Sequence, residues 1–134
     1  MNTERATLSR FRLREARETL EEAHLLAQAS RWRGALNRVY YAMFYAAQAL
    51  LATKQLASSR HSGVIALFHR EFVRSELFEK THARYLDIAF NLRNKSDYQD
   101  FLSPDAEQVQ ELLTAAESFL VEAERLVQQL LPES

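Results

Sequence analysis

The run Arg93-Asn94-Lys95-Ser96-Asp97-Tyr98 gathers two cations, an amide, a hydroxyl, a carboxylate and a phenol on a short piece of chain. Such a mixture suits a phosphate. Arginine offers a planar fork of donors to phosphate oxygens, lysine adds a point charge, and Asn94 or Tyr98 can meet a base or a sugar. The same spacing supports a plainer reading, because Arg93 and Asp97 lie four apart on a helix and would form an exposed ion pair worth ~0.3–0.5 kcal/mol. His61, in Arg60-His61-Ser62-Gly63, falls at a helix start where backbone amides can bind an anion; a capping or interface histidine is the alternative. The remaining histidines are His24, His69 and His82, and none of the four shows the paired His-Glu spacing of a helical zinc site. His69 has Glu71 nearby but no convincing third ligand, so neither a metal nor another cofactor is expected.

Arginines 10, 12, 14, 17, 31, 33 and 38 are interleaved with Phe11 and Trp32, a combination RNA binding can use. Against that stand Arg14 with Glu18 and Arg17 with Glu21, spaced as helical ion pairs on a solvated face. Glu21-Glu22 and the pair Glu122 and Glu124 read as polar surface, with no apolar pocket to shift their ionisation.

The elements that must position these residues are helices. Only two Gly and two Pro interrupt 134 residues, so turn residues for hairpins are scarce and helix formers dominate. A hydrophobic share of 47% with 26% charged residues fits one globular domain over 1–134 with a real core. The absence of Cys excludes disulfides, thiol catalysis and Cys-ligated zinc. The apolar stretch from Val39 to Ala52 falls short of the ~20 residues of a membrane span, and Met1 to Arg5 lead into a charged helix without a signal-peptide core. A cytoplasmic protein without membrane association is expected. A net charge of −1 neither demands nor forbids a local phosphate site.

Apolar spacings of three and four place a helix over about 3–29 (Ala6, Leu13, Ala16, Leu20, Ala23, Ala27). A second, with Ser30 as N-cap, runs over 31–53 (Leu36, Tyr40, Met43, Phe44, Ala47, Leu51). Its far side adds Tyr41 and Tyr45, which suggests contact on two sides, with a subunit interface as one explanation. Ser58 or Ser59 would cap a short third helix carrying Val64, Ile65, Phe68 and Phe72. A fourth spans about 77–97, with Phe78, His82, Tyr85, Leu86, Ala89 and Leu92 inward. Ser103-Pro104-Asp105 supplies an N-cap, a first-turn proline and an acidic residue for the last helix, whose Val109, Leu112, Ala116, Phe119, Ala123, Leu126 and Leu130 follow the bundle period. The expected fold is all-α: an antiparallel up-and-down bundle of four long helices and one short one.

The run Ala35-Leu36-Asn37-Arg38-Val39-Tyr40-Tyr41-Ala42-Met43-Phe44-Tyr45-Ala46-Ala47 resembles the signature second helix of HEPN domains (higher eukaryotes and prokaryotes nucleotide-binding). The later His61-Ser62-Gly63-Val64-Ile65 with Phe68 and Phe72-Val73, then Arg93 with Asp97-Tyr98, resemble a small prokaryotic branch of the same family. The resemblance covers nearly the whole chain. It implies a helical bundle that forms a homodimer, paired as a toxin with a minimal nucleotidyltransferase as antitoxin, and in many members a metal-independent ribonuclease.

The ribonuclease motif of that family is an Arg followed, after four to six residues, by a His. Arg93 matches the Arg, whereas the His positions hold Tyr98, Gln99 and Asp100. A phenol with an ordinary pKa near 10 is a poor base at neutral pH, and a solvated Asp97 has little proton affinity there. His61 would compensate only if the fold brings it close. The resemblance thus leaves Arg93 and Tyr98 as catalytic candidates, and Arg93, Asn94, Lys95, Asp97 and His61 as RNA- or nucleotide-binding candidates. Tyr98 is also a candidate AMP acceptor, by analogy with relatives modified at a nearby Tyr. A non-catalytic module that recruits or regulates the nucleotidyltransferase is the alternative.

Overall fold

The structure, a computed structural model, describes the backbone of residues 3–98 and 104–131, with side chains from 4 to 96 and from 104 to 131. It is an all-α bundle: α1 (Thr3–Gln28), α2 (Trp32–Thr53), the short α3 (His61–Phe68) continued by a π-helical turn (His69–Val73), α4 (Lys80–Tyr98) and α5 (Ala106–Leu130). Among the described residues no helix is long and apolar enough to cross a membrane.

α2 is the axis of the bundle. Of its 22 residues, 14 are buried, from Ala35 to Thr53, which a helix with one solvated face cannot achieve. Alanines make this possible. Ala16 and Ala23 of α1 and Ala35, Ala42, Ala46 and Ala49 of α2 are fully buried small residues, so the two backbones approach closely. Within that seam Ser9 is also fully buried, and its hydroxyl donates to the Ala49 carbonyl at 2.8 Å, leaving no unmet polar group. Gly34 lies close to α1 for a related reason, since a Cβ there would stand 3.3 Å from Leu26 Cδ1 and press on that side chain.

The other end of the core is aromatic. Phe68, Phe78 and Phe119 form a triangle with ring centroids 5.1, 4.8 and 5.6 Å apart, joining α3, the 74–79 connector and α5. The Phe72 carbonyl accepts from both Leu77 and Phe78 N–H groups, at 3.0 and 2.9 Å, which turns the chain back toward α4.

Helix starts depart from the expected caps. Ser30 does not cap α2; it takes a left-handed φ of 59° in the turn, where its hydroxyl cannot meet the helix amides, and Arg31 holds the cap position. Ser58 and Ser59 do not cap α3 either, because Arg60 occupies that position and Ser58 Oγ accepts from the Arg60 N–H at 3.3 Å, one step too early. α5 is capped by Asp105, whose carboxylate accepts from the Glu107 N–H at 3.1 Å; Pro104 lies before the helix, and Ser103 lies outside the described residues.

Several charges expected to face solvent instead brace helices. Arg17 does not pair with Glu21 along its own helix; it forks onto Glu124 through two 2.8 Å bonds and onto Glu117 through a third of 2.8 Å, tying α1 to α5. The reach of α5's carboxylates to a planar guanidinium wins over a single exposed partner. These hydrogen bonds hold the Glu117 carboxyl below its ordinary value of 4.5, against the opposing effect of partial burial. Its contribution to stability is therefore complete at neutral pH and is lost as the pH falls through the depressed value. Discounted for the groups' exposure, Arg17→Met should cost about 1 kcal/mol at pH 7 by denaturant unfolding, and the gap from wild type should close well below pH 4.5.

Candidate functional site

Arg93 on α4 lies over two tyrosine rings of α2. Its guanidinium carbon is 5.2 Å from the Tyr40 ring centroid and 5.3 Å from that of Tyr41, within cation–π range. Tyr41 meets a second cation from its own helix, Arg38, at 5.3 Å. Phe90, one turn before Arg93, packs on Tyr40 at 5.7 Å, which seats α4 against α2 at this level.

His61 comes to the same place from α3. Its Nδ1 is 3.0 Å from the Tyr40 hydroxyl, and its ring lies 4.5 Å from Phe44 and edge-on to Tyr41 at 5.6 Å. Gly63 lets the preceding connector pack close to α3: a Cβ there would overlap Ser58 Oγ and stand 3.0 Å from Ser58 Cβ, so Ser58 would have to shift. His61, Tyr40 and Arg93 thus converge on one aromatic corner from three helices.

The electrostatics follow from that packing. Burial pushes the Tyr40 hydroxyl above its ordinary value of 10.0, against the pull of Arg93, so the phenol keeps its proton. Burial, and then the charge of Arg93, hold His61 below its ordinary 6.5, so the imidazole is neutral at pH 7. A neutral imidazole beside a fixed guanidinium, walled by aromatic faces, can bind a phosphate by charge and hydrogen bond and a base by stacking.

The expected polar cluster is only partly drawn together. Asn94 is half-buried next to Arg93, but Lys95 is exposed and lies ~200° around the helix from Arg93, facing away from the aromatic corner. Asp97 and Tyr98 belong to α4 by their backbone, and their side chains lie outside the described residues. Sequence reasoning placed Tyr40 in the core and missed it as the bridge between Arg93 and His61. The doubled tyrosine on a helix already apolar on both sides was the available signal.

Two other constellations lie elsewhere. His69 Nε2 is 2.9 Å from Asp87 Oδ1 beside a cleft lined also by Val73, Lys80, Thr81 and Arg84. His82 Nδ1 lies 2.6 Å from Glu122 Oε1 and 3.5 Å from Glu79 Oε2, while Glu122 Oε2 accepts the Glu79 N–H at 2.7 Å. The ligand atoms of Glu79, His82 and Glu122 lie within 4.8 Å of one another, but they already satisfy each other as a strap from α5 to the start of α4. Glu122 is accordingly half-buried and bonded, where the sequence suggested plain polar surface.

Comparison with known proteins bears on the chain as a whole. The family model described as "HEPN domain" matches residues 9–126. The chain is 40% identical over 117 residues to a "UPF0332 protein" of Thermotoga maritima, covering 87% of this chain and 89% of that one. It is 34% identical over 116 residues to a protein of Methanocaldococcus jannaschii named a "putative toxin", covering 87% and 86%. A second protein of that organism with the same kind of name is 32% identical over 108 residues, covering 81% and 74%.

The half-buried His61 should make a measurable difference to stability. Because folded His61 binds its proton less tightly than the unfolded value of 6.5, the unfolded chain takes up protons first as the pH falls. Folding stability should therefore decline from pH 6.5 down to the depressed value and level off below it. Urea unfolding from pH 7.5 to 5 should show that decline in wild type and a flatter profile in His61→Gln.

Proposed function

The chain belongs to the HEPN family, and from that footing we propose that it is a toxin-like protein binding RNA or nucleotide at the Arg93 corner, with metal-independent ribonuclease activity. The observation that carries this reading is the meeting of Arg93, Tyr40 and His61. Arg93 neutralises a phosphate, Tyr41 offers a ring face to the neighbouring nucleotide, and the His61 imidazole adds a polar group at the same corner. Relatives whose names propose a toxin role support the biological context.

The proposed assembly is a homodimer that pairs with a minimal nucleotidyltransferase. Exposed apolar side chains on α1, Leu8 at 46% and Phe11 at 47%, line a shallow groove with Glu4, Thr7 and Arg14, and suit protein contact. The second reading, a non-catalytic module recruiting the nucleotidyltransferase, is favoured by one specific feature: no His follows Arg93 at the motif spacing. Tyr98 is then the AMP acceptor, which mass spectrometry after co-expression with such an enzyme would detect.

The deciding experiment incubates the purified protein and Arg93→Ala with end-labelled RNA, in chelator and in magnesium. We expect chelator-resistant cleavage by wild type, reduced at least about 100-fold in the variant, as for loss of a group that stabilises developing charge. RNA left intact but bound, with binding weakened in Arg93→Ala, would favour the recruiting module. Equal behaviour of both proteins would remove Arg93 from the site.

A further inference from the structure

We propose that His61 serves this site as a hydrogen-bond donor to phosphate through Nε2–H, locked in that tautomer by Tyr40, and not as the missing general base. The inference rests on the reading of Arg93 as the phosphate-binding cation.

The argument begins with a buried hydroxyl. Tyr40 is fully buried, and His61 Nδ1 at 3.0 Å is its hydrogen-bond partner among the described residues. A buried hydroxyl left without an acceptor costs of order 1–3 kcal/mol, so its proton points to Nδ1. The phenol holds that proton firmly, because burial disfavours the phenolate. Nδ1 is then the acceptor, and a neutral imidazole that accepts at Nδ1 carries its own proton at Nε2.

The ring has no freedom to reverse these roles by turning. Phe44 covers one side at 4.5 Å, Tyr41 meets it edge-on at an interplanar angle of 86°, and Tyr40 holds the inner nitrogen. Nε2 has no hydrogen-bond partner among the described residues and is not one of the buried unsatisfied atoms, so it opens to solvent. Tyr40 therefore presents two donors from one ring: the guanidinium over its face and the imidazole on its hydroxyl.

A base needs a free lone pair, and the only one on this neutral ring is committed to Tyr40. What His61 offers outward is an N–H of fixed direction next to a cation. That is the chemistry of a phosphodiester or phosphate monoester clamp, in which one donor brings charge and the other brings direction. Tyr40 acts as the positioning residue. The groups facing His61 are Tyr40, Tyr41 and Phe44 from α2 and the Arg93 charge from α4; no carboxylate among the described residues pairs with it to draw a second proton.

The test has two arms. Long-range proton–nitrogen correlation NMR on the whole protein at pH 7.5 should show His61 as the Nε2–H tautomer, shifting to a mixture in Tyr40→Phe. A dominant Nδ1–H tautomer in wild type overturns the proposal. In the second arm, wild type, His61→Gln and His61→Leu, each verified as folded by thermal unfolding, are titrated with a short single-stranded RNA and with 5′-AMP. A glutamine amide can donate from the position of Nε2, so His61→Gln should bind within about threefold of wild type, whereas His61→Leu should lose about tenfold or more. Equal loss in both variants, or no loss in His61→Leu, overturns the donor role. Failure of wild type to bind either probe instead refutes the Arg93 phosphate reading, and the clamp falls with it.

Discussion

The bundle depends on the burial of α2 on nearly every side. With 14 of its 22 residues buried, that helix cannot be satisfied by one partner, so α1, α3, α4 and α5 each have to cover part of it. Alanines set how near α1 comes, and the bulk of Tyr40, Met43 and Phe44 sets the distance on the opposite side. The consequence for chemistry is direct. Burying a tyrosine in such an axis forces a partner for its hydroxyl, and the partner is the first residue of α3.

A cation and an imidazole held on one aromatic residue form a rigid arrangement. Arg93 is positioned by π faces on a neighbouring helix and by Phe90 at its base, so its location is set by packing of α4 on α2. His61 is positioned by a hydrogen bond and ring contacts at the start of α3. The two therefore report on the same interface. A change that loosens α2 against α3 or α4 separates the donors, even where neither residue is altered.

Charged residues divide into two kinds by their tertiary surroundings. Arg17, Glu117 and Glu124 strap α1 to α5, and His82 with Glu122 straps α4 to α5. Arg17 and the α5 carboxylates of these straps are residues that the helical period assigns to polar faces, whereas His82 lies on the inward side of its helix. Arg93 instead meets aromatic rings that hold its guanidinium plane, and Arg38 combines a ring contact with hydrogen bonds to Asn37 and an ion pair to Glu22.

Helical period determined much of this protein from its sequence. Repeats of three and four identified the helices and one buried face of each, because side-chain direction along a helix is a local property of the backbone, but on α2 that face holds only six of the fourteen buried residues. Arg93 and His61 stood out as chemistry-bearing types, and the motif departure at Tyr98, Gln99 and Asp100 was legible directly. Cap identities were less so: Ser30 and Ser58 are good capping types, but where the chain enters a helix depends on turn geometry, and Arg31 and Arg60 took those positions. Only the tertiary structure decided that Tyr40 joins His61 to Arg93 and that Arg17 crosses to α5. Those outcomes turn on the rotation and separation of packed helices. They arise from contacts between residues as far apart in the chain as Arg17 and Glu124, which no local period encodes.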